Sequence, residues 1–177
     1  IPPAKSYDEI IHKIIILKKG GMCWELNYIF KFIIELFGFK ADLIHCFSLQ
    51  PHLKEMSNCD DCFDYRNPHV ALIVDGIYFC DVGYGNHFTA SLSIHGAIPL
   101  NNISITYCNS HYYVSKKCPN FIKILFRFTH NIITISDTFD LIDWNQNPNC
   151  IESNWTLLNK QLYHNILINT DGELNYR

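Results

Sequence analysis

Residues 18–27 read KKGGMCWELN, from Lys18 through Gly20, Gly21 and Cys23 to Asn27. A glycine pair hands the chain to a helix, and a thiol sits at the hand-over. A helix N-terminus offers unpaired N–H groups and the positive end of the macrodipole, and both favour a thiolate. The glycines permit a sharp turn and let a reactant come close to the sulfur. Taken alone, the pattern is more often that of a turn followed by a small buried residue.

Working outward, Ser6-Tyr7-Asp8-Glu9 is a capping box ahead of an apolar run, so a first helix is expected there. Ile10, Ile11, Ile14 and Ile15 form its inward face, Lys18 and Lys19 suit its C-terminal end, and Gly20-Gly21 stops it. In the second helix Leu26, Ile29, Phe30, Ile33 and Phe37 recur at helical spacing, and Gly38 ends it. Beyond Gly38 the period changes. Strands are expected at 41–49, 69–74, 77–82, 112–115, 122–129, 132–135, 155–158 and 162–168, with a polar loop over 50–67 and a hairpin signal at Asp75-Gly76. Helices first and antiparallel strands afterwards define an α+β class. The expected architecture is one compact unit of three parts: a helical segment with Cys23 (1–38), an antiparallel β region (39–110) and a C-terminal β lobe (111–177).

The composition is globular: 177 residues, 48% hydrophobic and 18% charged. A net charge of −3 without a dense basic cluster argues against a nucleic-acid platform. No apolar run is long enough to span a bilayer; the run from Ile10 to Leu17 is interrupted by His12 and Lys13. Of the eight cysteines, Cys46, Cys80 and Cys108 lie in strand-like stretches where a free thiol behaves as a small hydrophobe, so a reduced, cytoplasmic protein is expected. Cys59-x-x-Cys62 with His52 and His69 suggests zinc only weakly, since no second pair follows, and no metal is assigned. Trp24 either lines a pocket or packs beneath the helix. Phe121, Phe126 and Phe128 are expected to be core.

A cysteine nucleophile needs a base, and the base needs an orienting carboxylate. His69 opens the strand after Asn67-Pro68, and Asp81 lies near the end of the partner strand. Register decides whether they meet. A two-residue turn at Asp75-Gly76 pairs Val70 with Asp81 and puts His69 and Asp81 on opposite faces. A three-residue loop over Val74-Asp75-Gly76, or a bulge elsewhere with the same effect, puts them on one face. The triad requires the second arrangement. The alternative is a surface histidine and a strand-end aspartate.

These residues resemble the arylamine N-acetyltransferase family. GGMCWELN is similar to its RGGxCxExN signature, and NPHVALIVDGIYFCDVGYGN to its histidine motif followed by DVGFG. KSYDEIIHKIIILKK, NSHYYVSKKCPNF and SNWTLLNKQLYHNILINTDGE resemble flanking segments, so the likeness runs from about Ser6 to about Glu173. It implies a papain-like Cys-His-Asp core with Cys23 as acyl acceptor, His69 as base and Asp81 as orienting acid. Asn27 and Glu25 match supporting residues, and Gly83, Tyr84 and Gly85 match the loop beside the substrate pocket. It further implies acetyl-CoA as co-substrate and a small aromatic amine or hydrazine as acceptor, in a ping-pong sequence through acetyl-cysteine. Lys19 stands where the family has arginine, which costs a planar bidentate donor. The Cys23-to-His69 gap is longer through 55–66, Asn86 replaces a small residue, and the family's first helices and final tail have no counterpart. Two rival functions share the residues: a thiol hydrolase with the same triad, and a non-catalytic homologue that binds a ligand or partner.

Overall fold

The computed structural model describes residues 4, 6–48, 63, 68–84, 90–96 and 102–138, and the backbone of 167–168 and 174–175. The chain divides into two units, Ile1–Ile135 and Ser136–Arg177. In the second, a short antiparallel pair joins Leu167–Ile168 to Leu174–Asn175.

In the first unit, helix α1 spans Tyr7–Ile11. Ser6 caps it by accepting the Glu9 N–H at 3.3 Å, as the capping box implies. The helix then widens into a π turn over His12–Ile16, closed by the Leu17 N–H donating to the His12 carbonyl at 2.9 Å. The widening changes which residues face inward. Ile10 is buried, but Ile15 is 47% exposed, against expectation, and Lys13 is buried in its place. The helical segment ends before the glycine pair, at Lys18, which is left-handed with φ of 52°.

Helix α2 spans Cys23–Leu36. Gly38 (φ 89°) ends it as expected, supplying a left-handed residue just past the last turn. Its inward face consists of Trp24, Glu25, Asn27 and Ile29, whereas Ile33 and Phe37 of the expected stripe are exposed.

Seven strands form one sheet: β1 (Ala41–Ser48), β2 (His69–Val74), β3 (Tyr78–Cys80), β4 (Leu92–Ser93), β5 (Ile103–Cys108), β6 (His111–Lys117) and β7 (Ile122–Ile133), in the order β4-β3-β2-β1-β7-β6-β5. Every neighbouring pair is antiparallel. The α+β class therefore holds, with helices leading and an antiparallel sheet following. The two strands expected at 122–129 and 132–135 are one strand. His130 and Asn131 do not end it, because they fall in an irregularity of β7, where residues 129–131 stand against His45 alone between the pairs Ile44↔Ile132 and Cys46↔Phe128. β4 and β5 lie outside the expected strands; β5 and β6 meet at a two-residue turn in which Asn109 and Ser110 are both left-handed.

One face of the sheet carries the core: Ile44, Cys46, Ala71, Ile73, Phe79, Val114, Phe126 and Phe128 among others. Phe121, by contrast, is 61% exposed. Helix α2 packs on β2 and β1. Strand β2 is buried from Val70 to Val74 without alternation, which is why its sequence is a continuous apolar run.

Candidate active site

The hairpin between β2 and β3 sets the site. Its pairs are Leu72↔Cys80, Ile73↔Phe79 and Val74↔Tyr78, so the loop is Asp75-Gly76-Ile77 and not Val74-Asp75-Gly76. Asp75 (φ 51°) and Gly76 (φ 69°) are both left-handed, and the Ile77 N–H donates to the Val74 carbonyl at 3.0 Å. The ladder is one residue further along each strand than expected. Because the side-chain period is two, that combined shift keeps His69 and Asp81 on the same face.

β3 ends at Cys80, opposite Leu72, and leaves the edge of β2 open next to Val70. The start of α2 docks there. The Val70 carbonyl accepts from Asn27 Nδ2 at 2.8 Å, and the Val70 N–H donates to the Cys23 sulfur. The sulfur is thus held at a strand edge by backbone, beside the first residue of β2.

His69 Nε2 and Asp81 Oδ2 are 2.6 Å apart, the short distance of a charge-assisted bond. The imidazole is also hydrogen-bonded to the Cys23 sulfur. With Nε2 taken by the carboxylate, Nδ1 is the nitrogen left for sulfur. Asp81 is saturated: its Oδ1 accepts from Asn27 Nδ2 at 3.0 Å and from the Gly83 N–H at 2.8 Å. Asn27, with no exposed surface, is the tie bar of the site. Its Nδ2 is also 3.0 Å from the Cys23 carbonyl, so its two hydrogens are shared among Cys23, Val70 and Asp81, and its Oδ1 accepts the Val82 N–H at 3.0 Å.

Electrostatics favour an ion pair. Burial pushes the Cys23 thiol up, but the hydrogen bond and positive charge of His69, with the Val70 N–H, outweigh it and leave the thiol below its ordinary 9.0. Burial pulls His69 down, yet its bonds to Asp81 and Cys23 and their negative charges raise it to about 10. Both shifts run in the direction that favours thiolate and imidazolium over the neutral pair.

Glu25 lies at the third helical position, fully buried. Its carboxylate accepts the Met22 N–H at 2.6 Å, one half of a capping box, and the Ala4 N–H at 2.9 Å. Lys13 Nζ lies 2.8 Å from both of its oxygens. Lys13 was not among the expected site residues; a lone lysine in an otherwise apolar helical run was its only signal. Lys19, at the family's arginine position, is exposed.

Gly83 meets α2 closely: a β-carbon there would lie 2.6 Å from Cys23 Cα and 2.9 Å from Asn27 Nδ2. Tyr84 stands edge-on to His69 with ring centroids 5.2 Å apart. Trp24 is buried against the body of the protein. Gly85, Asn86, His52, Cys59 and Cys62 lie outside the described residues. Among the described residues Cys23, Cys46, Cys80, Cys108 and Cys118 are free thiols, no group of three His, Cys, Asp or Glu side chains is placed to hold a metal, and no helix is long and apolar enough to cross a membrane.

A sequence profile for N-acetyltransferases matches residues 5–163. The chain belongs to that family, the arylamine N-acetyltransferases. An uncharacterized acetyltransferase of Acanthamoeba polyphaga mimivirus, L280, is 26% identical over 140 residues, covering 77% of this chain and 61% of the relative. The arylamine N-acetyltransferase of Salmonella typhimurium superposes with a TM-score of 0.66 at 18% identity, over 81% of this chain and 53% of that one. The Mycobacterium marinum arylamine N-acetyltransferase in complex with CoA superposes with a TM-score of 0.62 at 16% identity, over 79% of this chain and 53% of that one. The chain thus spans about half the length of these solved structures.

Proposed function

We propose that this chain carries out acyl transfer by a ping-pong route: an acetyl group passes from acetyl-CoA to Cys23, and from Cys23 to a small aromatic amine or hydrazine. Cys23 at the start of α2, linked to His69 of β2 and through it to Asp81 after β3, is the observation that carries the reading. Family membership and the CoA bound by the Mycobacterium marinum relative support the donor.

The Cys23 thiolate attacks the thioester carbonyl, forming a C–S bond, and the negative charge moves to the carbonyl oxygen. Backbone N–H groups of the first turn of α2 receive that oxyanion, since helix geometry leaves them without intrahelical acceptors. Collapse breaks the bond to the CoA sulfur, and the His69 imidazolium supplies the proton that releases CoA as a thiol. The neutral imidazole then takes a proton from the incoming amine as its nitrogen bonds to the acetyl carbon, and collapse breaks the bond to the Cys23 sulfur, releasing the amide and restoring the thiolate–imidazolium pair. Asp81 fixes the ring through Nε2 and leaves Nδ1 for chemistry. Tyr84, edge-on to His69, would flank the acceptor, and Gly83 and Gly85 are its neighbours in sequence. The chemistry needs a reduced thiol, which suits a cytoplasmic location. Initial-rate kinetics with acetyl-CoA and an aromatic amine test the route. Parallel double-reciprocal lines, with activity abolished by Cys23→Ser, are expected; intersecting lines contradict a covalent intermediate.

A further inference from the structure

The imidazole of His69 has a fourth neighbour that the triad does not include. Phe126, on β7, has no exposed surface, and its ring is stacked on that of His69 with centroids 5.3 Å apart and planes inclined by 20°. The strand between them makes this contact possible. Cys46 of β1 is the cross-strand partner of His69 on one side and of Phe128 on the other, and Ser48 is the partner of Phe126. A small, fully buried residue at 46 leaves room for rings from β2 and β7 to meet above β1. Tyr84 stands edge-on to both, 5.2 Å from His69 and 4.7 Å from Phe126. Phe126 is itself held from behind by Phe79 at 6.1 Å.

We propose that Phe126 is a positioning residue for acyl transfer: its ring face supports the His69 imidazolium and holds the plane in which Nε2 meets Asp81 and Nδ1 meets Cys23. The inference rests on the ion-pair reading of the site given above. An aromatic face within about 6 Å attracts a cation through its quadrupole, and more strongly where water is excluded. A ring confined between one aromatic face and one aromatic edge also loses the freedom to rotate about its χ2 bond. The groups that face His69 are Cys23 from α2, Asp81 from the end of β3, Cys46 from β1 and Tyr84 from the following loop. Burial raises Cys46 and Tyr84 above their ordinary values, so neither adds a negative charge there. Phe126 therefore acts on the cation without supplying a charge of its own.

The test is the pH dependence of Cys23 alkylation by iodoacetamide, followed by peptide mapping, in the wild-type chain and in Phe126→Leu and Phe126→Tyr. Removing the ring face weakens the imidazolium, so the ion pair forms at higher pH. Phe126→Leu is expected to raise the labelling midpoint by about one pH unit, a tenfold loss of thiolate below the midpoint. Phe126→Tyr keeps a ring in place and is expected to stay near wild type. A folded Phe126→Leu variant with the wild-type midpoint, or a Phe126→Tyr variant shifted as far as leucine, overturns the inference while leaving the triad intact. A wild-type midpoint at the ordinary thiol value overturns the ion pair and this inference together. If the leucine variant does not fold, Phe126→Met serves in its place. The wild-type chain gives an independent reading: ring-current shielding should move the His69 ring protons upfield, and unshifted resonances would refute the stack.

Discussion

Gly83→Ala should damage the site through space alone. The φ of Gly83 lies outside the left-handed region, so the added methyl meets no backbone penalty. It would instead sit 2.6 Å from Cys23 Cα and 2.9 Å from Cys23 Cβ, where ordinary contacts begin at 3.4 Å. The shortfall of 0.8 Å is against backbone, which cannot rotate away as a side-chain tip can. Either the loop after β3 or the first turn of α2 must move by a comparable distance. The Gly83 N–H that braces Asp81 moves with the loop, and Asn27 Nδ2, also 2.9 Å from the added methyl, is pressed out of line with Asp81. Overpacking of this kind costs about 1–3 kcal/mol. A misplacement near 1 Å at a reacting centre costs on the order of 10²-fold in rate. The assay is the second-order rate of Cys23 alkylation at neutral pH, paired with a thermal melt. A Gly83→Ala chain with wild-type alkylation and an unchanged melting temperature would refute the close approach between this loop and Cys23.

Asp81→Asn should preserve the fold yet lower acyl transfer by about 10⁴-fold, because an amide cannot hold the imidazolium or select its proton position; acetyl transfer measured beside circular dichroism checks it. Lys13→Met strands the buried Glu25 carboxylate and should cost about 3–5 kcal/mol in urea unfolding, and an effect under about 1 kcal/mol would remove Lys13 from the support of the α2 start. Stability should decline as pH rises from 9.0 to about 10. Folded His69 keeps its proton to about 10 where the unfolded chain loses it near 6.5, and folded Cys23 loses its proton below the 9.0 of the unfolded chain. Above 9.0 the unfolded chain holds neither proton of the pair while the folded chain still holds that of His69, so the pair's contribution falls as pH rises through this window. Unfolding free energies of wild type minus a Cys23→Ala/His69→Gln chain read this directly, and a difference that stays flat or rises from 9.0 to about 10 would contradict the pairing.

The parts of this fold legible in the sequence are those set by local chemistry. Ser6 and Glu9 announce α1, Gly38 ends α2, and Asp75-Gly76 marks a hairpin, because each is a short-range backbone requirement met by one or two residues. Periodicity served less well on α2. Glu25 and Asn27 take the inward face at the expense of Ile33 and Phe37, and a hydrophobic pattern cannot anticipate polar side chains whose every contact is a hydrogen bond. The π turn that buries Lys13 depends on Glu25, twelve residues away, and so lies beyond any local signal. His130 and Asn131 looked like a strand end since nothing in their neighbours reveals that β1 will accommodate a bulge. Cys23, His69 and Asp81 were recognisable as a set through their motifs, whereas the ring nitrogen each partner uses and the stacking of Phe126 follow only from how three strands align.

A ping-pong route requires that Cys23 itself becomes acylated. Intact-protein mass spectrometry after incubation with acetyl-CoA alone, with no amine present, measures that directly. The expected result is one added acetyl group, mapped to the peptide containing Cys23, absent in Cys23→Ser and discharged when an aromatic amine is added. An unmodified wild-type chain, or an acetyl group carried on any other residue, would exclude Cys23 as the acyl acceptor.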